Sequence, residues 1–547
     1  MITILKLGKK KIFIIIAIFC IITFLIALVN LTEKTETKTN SNEVEGWKLD
    51  TSPITFNWYI NYSWFNTKWG NNLVSKNVTK KTGVSINFIT PSGDESEKLD
   101  SMIDTGNLPD FITLSPFDDG YKNIIKNKLA LPLNKLAEKY DTYFFKVADK
   151  QKLEWYKQPD GYVYCYPNYS VPISNSGDTT EVYPSNQTFL VRKDIYDALG
   201  KPDMRTPEGF LNALKEAKEK FPIINGQKLI PLGLHEFTDS GNLSLDSILP
   251  NFLDIPFEKN GQVYDRITDP EYIKWLKTFN DAYNLGLLSK EIFVDKRPQI
   301  EENISEGRYF AMLYQRTDIV NEQLMLYKND KNSIYIPVDG PADSKLDPPK
   351  LAGDTISGWT VTLISKSCKD PMRAIRFLSY LISEEGNMDL YLGVKGVTWD
   401  TIDGKNELKP DIVNLLNEDR IAFDNKYGAA DTYWMLLDES MIQKWRPKDP
   451  EPLEVLEDWP KGKTYNYSLY DKIYNNNDNL QDYIIYSQIN DKWHSTEKNL
   501  LIAKNDTEFD AILNSFLQYR ENEGYDKSVQ YQQQKIEENK KKLGINN

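Results

Sequence analysis

Hydrophobic and polar positions along the body of the chain follow two alternating periods. Residues 54–65 (ITFNWYINYSWF) are aromatic and β-rich, a helical stretch then ends at Lys80, Lys81, Thr82 and Gly83, and residues 84–90 (VSINFIT) return to strand. A short helix with Leu99, Met102 and Ile103 on one face leads through a Thr-Gly-Asn-Leu-Pro turn to a further strand at 110–115 (DFITLS). This β-α-β order predicts a mostly parallel sheet. In such sheets ligands bind beyond the carboxyl ends of the strands, which makes loops 61–64 and 115–119 candidate cleft loops.

A second α/β block opens near Thr188 with TFLVRKDIYDALG. In the following helix Thr206 is the expected N-cap and Pro207 the first helical residue, with Phe210, Leu211, Leu214 and Ala217 as the apolar stripe. Past about residue 332, SIYIPVDGP and SGWTVTLIS resume short strands, and DPMRAIRFLSYLISEEG forms an amphipathic helix capped by Asp370 with Pro371 in its first turn. Beyond Gly396 the pattern is helical and loop-rich, ending in a charged helix over about 526–543. No repeat of 20 to 50 residues is present.

The N-terminus has a different pattern. Lys6, Lys9, Lys10 and Lys11 precede an unbroken apolar run at 12–29, long enough to cross a bilayer as a helix. The lysines place the N-terminus in the cytoplasm and the rest of the chain outside. The run ends Ala27, Leu28, Val29, Asn30, without the alternating small residues of a cleavage site, so an uncleaved anchor is expected. Lipidation at Cys20 is disfavoured because bulky Phe19 precedes it. Residues 31–46 are Thr, Asn, Glu and Lys with little to bury, the composition of a tether.

Composition narrows the function. The 547 residues exceed what one core holds, so at least two lobes are expected. A net charge of -13 with no basic stripe argues against nucleic acid. His235 and His494 are the only histidines and neither has partners at zinc-ligand spacing, so no metal or cofactor is expected. Cys165 and Cys368 lie far apart with no CxxC and are expected as separate thiols. Twelve Trp and 32 Tyr exceed ordinary packing needs, and their flat faces and polar edges suit sugar rings as well as cores. No G-x-S-x-G elbow, Walker loop, dinucleotide fingerprint or H-E-x-x-H occurs. Glycoside hydrolysis needs only a suitably spaced carboxylate pair, and 79 acidic residues leave that alternative open. Adjacent Asp118 and Asp119 suit sugar hydroxyls, or form a solvated acidic turn. The run 475–482 (NNNDNLQD) lacks the Gly and terminal Glu of a calcium loop and is expected as a polar loop.

The stretch 357–400 (SGWTVTLISKSCKDPMRAIRFLSYLISEEGNMDLYLGVKGVTWD) resembles the extracellular solute-binding proteins of family 1, in particular their LplA-like subgroup in Gram-positive bacteria. A strand ending in ISK, a Cys-x-x-Pro turn, a helix ending in SEEG and a G-x-x-G-V loop occur there in the same order. Supporting matches are NLPDFITLS, DGYVYCYP, TFLVRKDIYDALGKPDMRTPEGF, GRYFAMLY and the terminal GYDKSVQYQQQKIEE. The resemblance implies an α/β, type II periplasmic-binding-protein fold with two lobes around a hinged cleft, preceded here by the N-terminal transmembrane helix. With a cytoplasmic stub at 1–11, the anchor at 12–29 and the tether at 30–52 read from the N-terminal pattern, the resemblance places lobe 1 at 53–185 plus 335–385 and lobe 2 at 186–334 plus 386–547. It also implies a non-enzymatic, monomeric, substrate-binding component of an ABC importer on the outer face of the cytoplasmic membrane, taking a carbohydrate and docking on permease subunits. Two departures stand out: the lipobox is missing, and 222–231 (PIINGQKLIP) lacks the acids of the calcium loop found in many relatives. Trp64, Phe117, Trp359 and Trp399 are the candidates for stacking on sugar faces, with Asp118, Asp119 and Tyr314 as hydrogen-bond partners. Each of these indoles can equally seal a lobe. A surface-anchored glycosidase or lyase, and a sensor presenting ligand to a membrane kinase, are the competing functions.

Overall fold

The computed structural model describes residues 45–92, 95–172, 183–238 and 241–545, and contains two separate principal sheets. Their strands are β1 (Ile54–Ile60), β2 (Val84–Ile89), β3 (Phe111–Leu114), β4 (Cys165–Pro167), β5 (Gln187–Arg192), β6 (Ile230–Gly233), β7 (Tyr309–Gln315), β8 (Tyr335–Pro337) and β9 (Val361–Ile364). The first sheet has the order β2-β1-β3-β9-β4 and the second β8-β5-β7-β6.

β1 pairs in parallel with β2 and β3, as the β-α-β order predicts, but β9 runs antiparallel to β3 and β4 antiparallel to β9. In the second sheet only β7 and β6 are parallel; β5 opposes both its neighbours. The sheets are therefore mixed. Strands arriving from the other half of the chain need no crossover helix, so nothing forces them parallel.

The expected helix signals work as capping chemistry. Thr206 accepts from the Gly209 amide at 3.2 Å with Pro207 in the first turn, and Asp370 accepts from the Arg373 amide at 3.0 Å with Pro371 beside it. Gly83 ends helix Leu73–Thr82 in the left-handed conformation.

The packing redraws the expected lobe boundaries. Residues 335–337, expected in lobe 1, are β8 of the second sheet. Residues 386–445, expected in lobe 2, supply Leu390, Tyr391, Trp399, Tyr433 and Trp434 to the apolar core around β1 and β3. Hydrophobic periodicity marks a buried face without saying which core buries it. The tether is also shorter than 30–52. Trp47 is buried in a helical turn (Gly46–Lys48) with its ring 4.9 Å from Tyr380, a burial worth about 2 kcal/mol.

Cys165 and Cys368 are free, buried thiols on the first lobe. The run 475–482 is more than a polar loop: Asp478 is buried and paired with Lys535 at 3.0 Å. The apolar run 12–29 lies outside the described residues, and among those described no helix is long and apolar enough to cross a membrane. Chain segments passing between the lobes lie side by side. Leu351–Ala352 pairs in parallel with Thr464–Tyr465, and the Ser185 amide donates to Thr464 Oγ1 at 3.0 Å.

Candidate ligand-binding cleft

β1 and β3 are parallel, so the loops after both emerge on one edge of the first sheet. The Asn61 amide donates to the Thr113 carbonyl at 2.9 Å, and Asn61 Oδ1 accepts from Tyr59 at 2.9 Å, which fixes the loop base. Tyr62 and Trp64 then project from it. Trp359 arrives from the approach to β9, and Trp434 from the helical turn Ala430–Leu436.

These four rings form one platform. Trp64 and Trp359 are nearly parallel, with centroids 6.0 Å apart and an interplanar angle of 9°. Trp359 lies 4.6 Å from Trp434 and 5.2 Å from Tyr62. Trp64 and Trp359 each keep 42% of their surface exposed, a large apolar area to leave wet in a protein able to bury it. Trp434 is 5% exposed, and its indole N–H is buried without a hydrogen-bond partner among the described residues. An orphaned buried donor of this kind needs an acceptor from outside the protein or a rearrangement.

The second lobe faces this platform. Arg297, first residue of helix Arg297–Ser305, holds its guanidinium 5.8 Å from the centre of the Trp64 ring. Glu301 at 2.7 Å and Asp318 at 3.3 Å orient it. Between the lobes lies a cavity of about 690 Å³ whose wall includes Trp359, Trp434 and Tyr169 on one side and Arg297, Gln315 and Arg316 on the other. That volume is in the range of small-molecule sites. Deeper in, burial raises Asp354 to about 7, aided by neighbouring Glu439. Burial likewise raises Asp449 to about 7, aided by a hydrogen bond and charge from Glu457.

Of the seven expected ligand residues, Trp64 and Trp359 meet in the platform. Asp118 lies beside Tyr62; although its surface is exposed, crowding by protein raises its carboxyl to about 6. Phe117 is 47% exposed in the loop after β3 but is not part of the cavity wall. Asp119 is already engaged, accepting from Lys122 at 2.5 Å and from Tyr483 at 2.8 Å. Tyr314 is buried beneath the second lobe's surface with its ring stacked on His235 at 3.9 Å. Trp399 is a core residue: it opens the hairpin strand Trp399–Ile402, is 7% exposed, and donates to the Gly393 carbonyl at 3.2 Å. Its indole seals the first lobe, as strand-end indoles often do. Sequence reasoning missed Tyr62, Trp434, Arg297 and Arg316. Tyr62 sits inside a loop already singled out, but Trp434 lies in an apolar run (TYWMLL) with no local sign that one edge meets a cleft.

Two α/β lobes enclosing an aromatic cleft with a polar far wall define a two-lobed solute-binding fold. The chain belongs to the bacterial extracellular solute-binding protein family, whose sequence profile matches residues 74–398. A stretch of 233 residues is 26% identical to the fructooligosaccharide ABC transporter substrate-binding protein FusA of Streptococcus pneumoniae, covering 40% of this chain and 42% of that relative. The fold is similar to that of alginate-binding protein AlgQ2, with a TM-score of 0.66 at 19% identity over 90% of this chain and 100% of the other. It is equally similar to S. pneumoniae FusA in complex with kestose, with a TM-score of 0.66 at 17% identity over 89% and 99% of the two chains. The family is one of binding proteins, which fits a cleft that holds a ligand rather than transforms it.

Proposed function

We propose that this protein captures an oligosaccharide outside the cell and delivers it, unchanged, to an ABC permease, while the apolar segment 12–29 tethers it to the outer face of the cytoplasmic membrane. The observation that carries this reading is the platform of Tyr62, Trp64, Trp359 and Trp434, two of whose rings, Trp359 and Trp434, line an interlobe cavity of about 690 Å³ together with Arg297 and Arg316 of the second lobe. Flat aromatic faces match the apolar faces of pyranose and furanose rings, while carboxyl, amide and guanidinium groups on the opposite wall match their hydroxyls. Support also comes from the ligands that two similar proteins are named for, fructooligosaccharide for FusA and alginate for the structural neighbour AlgQ2. On this reading the protein acts as a monomer and its closed face docks on the permease.

The test is a thermal-shift screen of the purified protein against mono-, di- and oligosaccharides, with chromatography of the sugar afterwards. A ligand that binds only the folded state raises the melting temperature, by an amount set by its concentration over Kd. A saturable rise with the sugar recovered intact supports capture. A rise accompanied by shorter products, or no rise with any sugar, contradicts it. Membrane fractionation of full-length protein, with and without residues 12–29, tests the anchor.

A further inference from the structure

The charges of the cleft bear on which oligosaccharides it admits, an inference that rests on the carbohydrate reading above. Five cationic and six acidic side chains line the cavity. Four of the five cations are already committed. Arg297 pairs with Glu301 and Asp318, Arg420 with Asp424 at 2.8 Å, Arg446 with Glu439 at 3.0 Å, and Lys448 with Glu454 at 3.1 Å.

The fifth, Arg316, makes no ion pair among the described residues; its Nε and Nη2 donate to the carbonyls of Ser185 at 2.9 Å and Pro184 at 3.1 Å. Around it stand Asp354, Asp449 and Glu457, none of which makes an ion pair among the described residues. Three acids without an ion pair thus surround the one unpaired arginine, with Arg446, held by Glu439, as the other cation nearby. Burial is the main cause of the upward shifts of Asp354 and Asp449, and a neighbouring acid, Glu439 and Glu457 respectively, adds to each.

An incoming carboxylate or sulfate has two routes to a cation here. It can displace a partner from an existing pair, stranding a desolvated carboxylate, or approach Arg316 through three acids of its own sign. A hydroxyl has neither difficulty. It donates to a carboxyl and accepts from Arg316. We infer that the cleft takes uncharged oligosaccharides and rejects those carrying uronate or sulfate groups, because four of its five cations are ion-paired and Asp354, Asp449 and Glu457 outnumber the unpaired Arg316. This sets the chain apart from its structural neighbour named for alginate, an anionic polymer, despite the shared fold.

The experiment is calorimetric titration of the purified protein at pH 7.5 and low salt with kestose, maltotriose and a high-mannose glycan, and in parallel with trimannuronate and trigalacturonate. At least one neutral glycan should bind saturably, with each uronate roughly a hundredfold weaker or undetected. Replacing Asp354→Asn, Asp449→Asn and Glu457→Gln together should narrow that ratio by on the order of tenfold, and Asp449→Asn alone should narrow it in the same direction if the triple variant fails to fold. A uronate that binds as tightly as every neutral glycan overturns the charge inference and leaves the carbohydrate reading standing. Variants that fold but keep the wild-type ratio overturn the assignment to these carboxyls. No binding by any glycan, neutral or anionic, overturns both.

Discussion

At the scale of single residues, the four rings of the platform differ in what each can lose. Trp359 is exposed and touches Tyr62, Trp64 and Trp434, so Trp359→Ala should leave melting nearly unchanged and weaken glycan binding by about 1.4 kcal/mol, roughly tenfold, in calorimetric titration. Trp399 should behave in the opposite way. It is packed in the first-lobe core, so Trp399→Phe should lower stability by about 1–2 kcal/mol in urea unfolding while the folded protein keeps its affinity. The two variants separate a binding indole from a sealing one, a distinction sequence pattern alone does not make. Trp64 and Trp359 were legible because each borders a strand end, whereas Trp434 depends on packing between segments several hundred residues apart. Asp354 and Asp449 titrate upward in the folded state, so their contribution to stability is greatest below the unfolded carboxylate range near 4 and is lost as pH rises through about 7. Asp354→Asn/Asp449→Asn should therefore melt increasingly above wild type as pH rises from about 5 to 8. A constant difference across that range would contradict the shifts.

At the scale of elements, the platform depends on how its loops are held. Gly358 has a φ of +68°, and a Cβ added there would collide with the Asn168 carbonyl. Asn168 in turn grips Thr360, on the far side of Trp359, its amide donating to the Thr360 carbonyl at 3.0 Å and its Oδ1 accepting from the Thr360 amide at 2.7 Å. Gly358→Ala should cost about 1–3 kcal/mol of stability and, by tilting Trp359, also weaken glycan binding, measured by denaturant titration and calorimetry. Helix starts were legible where Thr206–Pro207 and Asp370–Pro371 supply capping chemistry, because that chemistry is local. Strand direction was not. β9 and β4 lie far apart in sequence, and their antiparallel pairing is set by where the second lobe is inserted between them.

At the scale of the whole molecule, a two-lobed architecture followed from length and from the two α/β blocks. The assignment of residues 386–445 did not, since their apolar faces fit either core and only packing chose the first. The lobes meet away from the aromatic platform as well. Tyr483, on helix Leu480–Leu501, donates to Asp119 at 2.8 Å, and Lys542 near the C-terminus donates to the Trp155 carbonyl at 2.6 Å. These contacts join the C-terminal helices to the first lobe, and on the proposed reading closure pivots about them. On the proposed reading, glycan binding should shrink the radius of gyration in small-angle scattering, and Trp359→Ala should need more glycan to produce the same change.

Capture of an oligosaccharide without its transformation can be read directly by isothermal titration calorimetry of the wild-type protein with a panel of neutral oligosaccharides. A saturable one-site heat that returns to baseline after each injection is expected for at least one of them. Continuous heat from turnover, or no heat with any member of the panel, would contradict it.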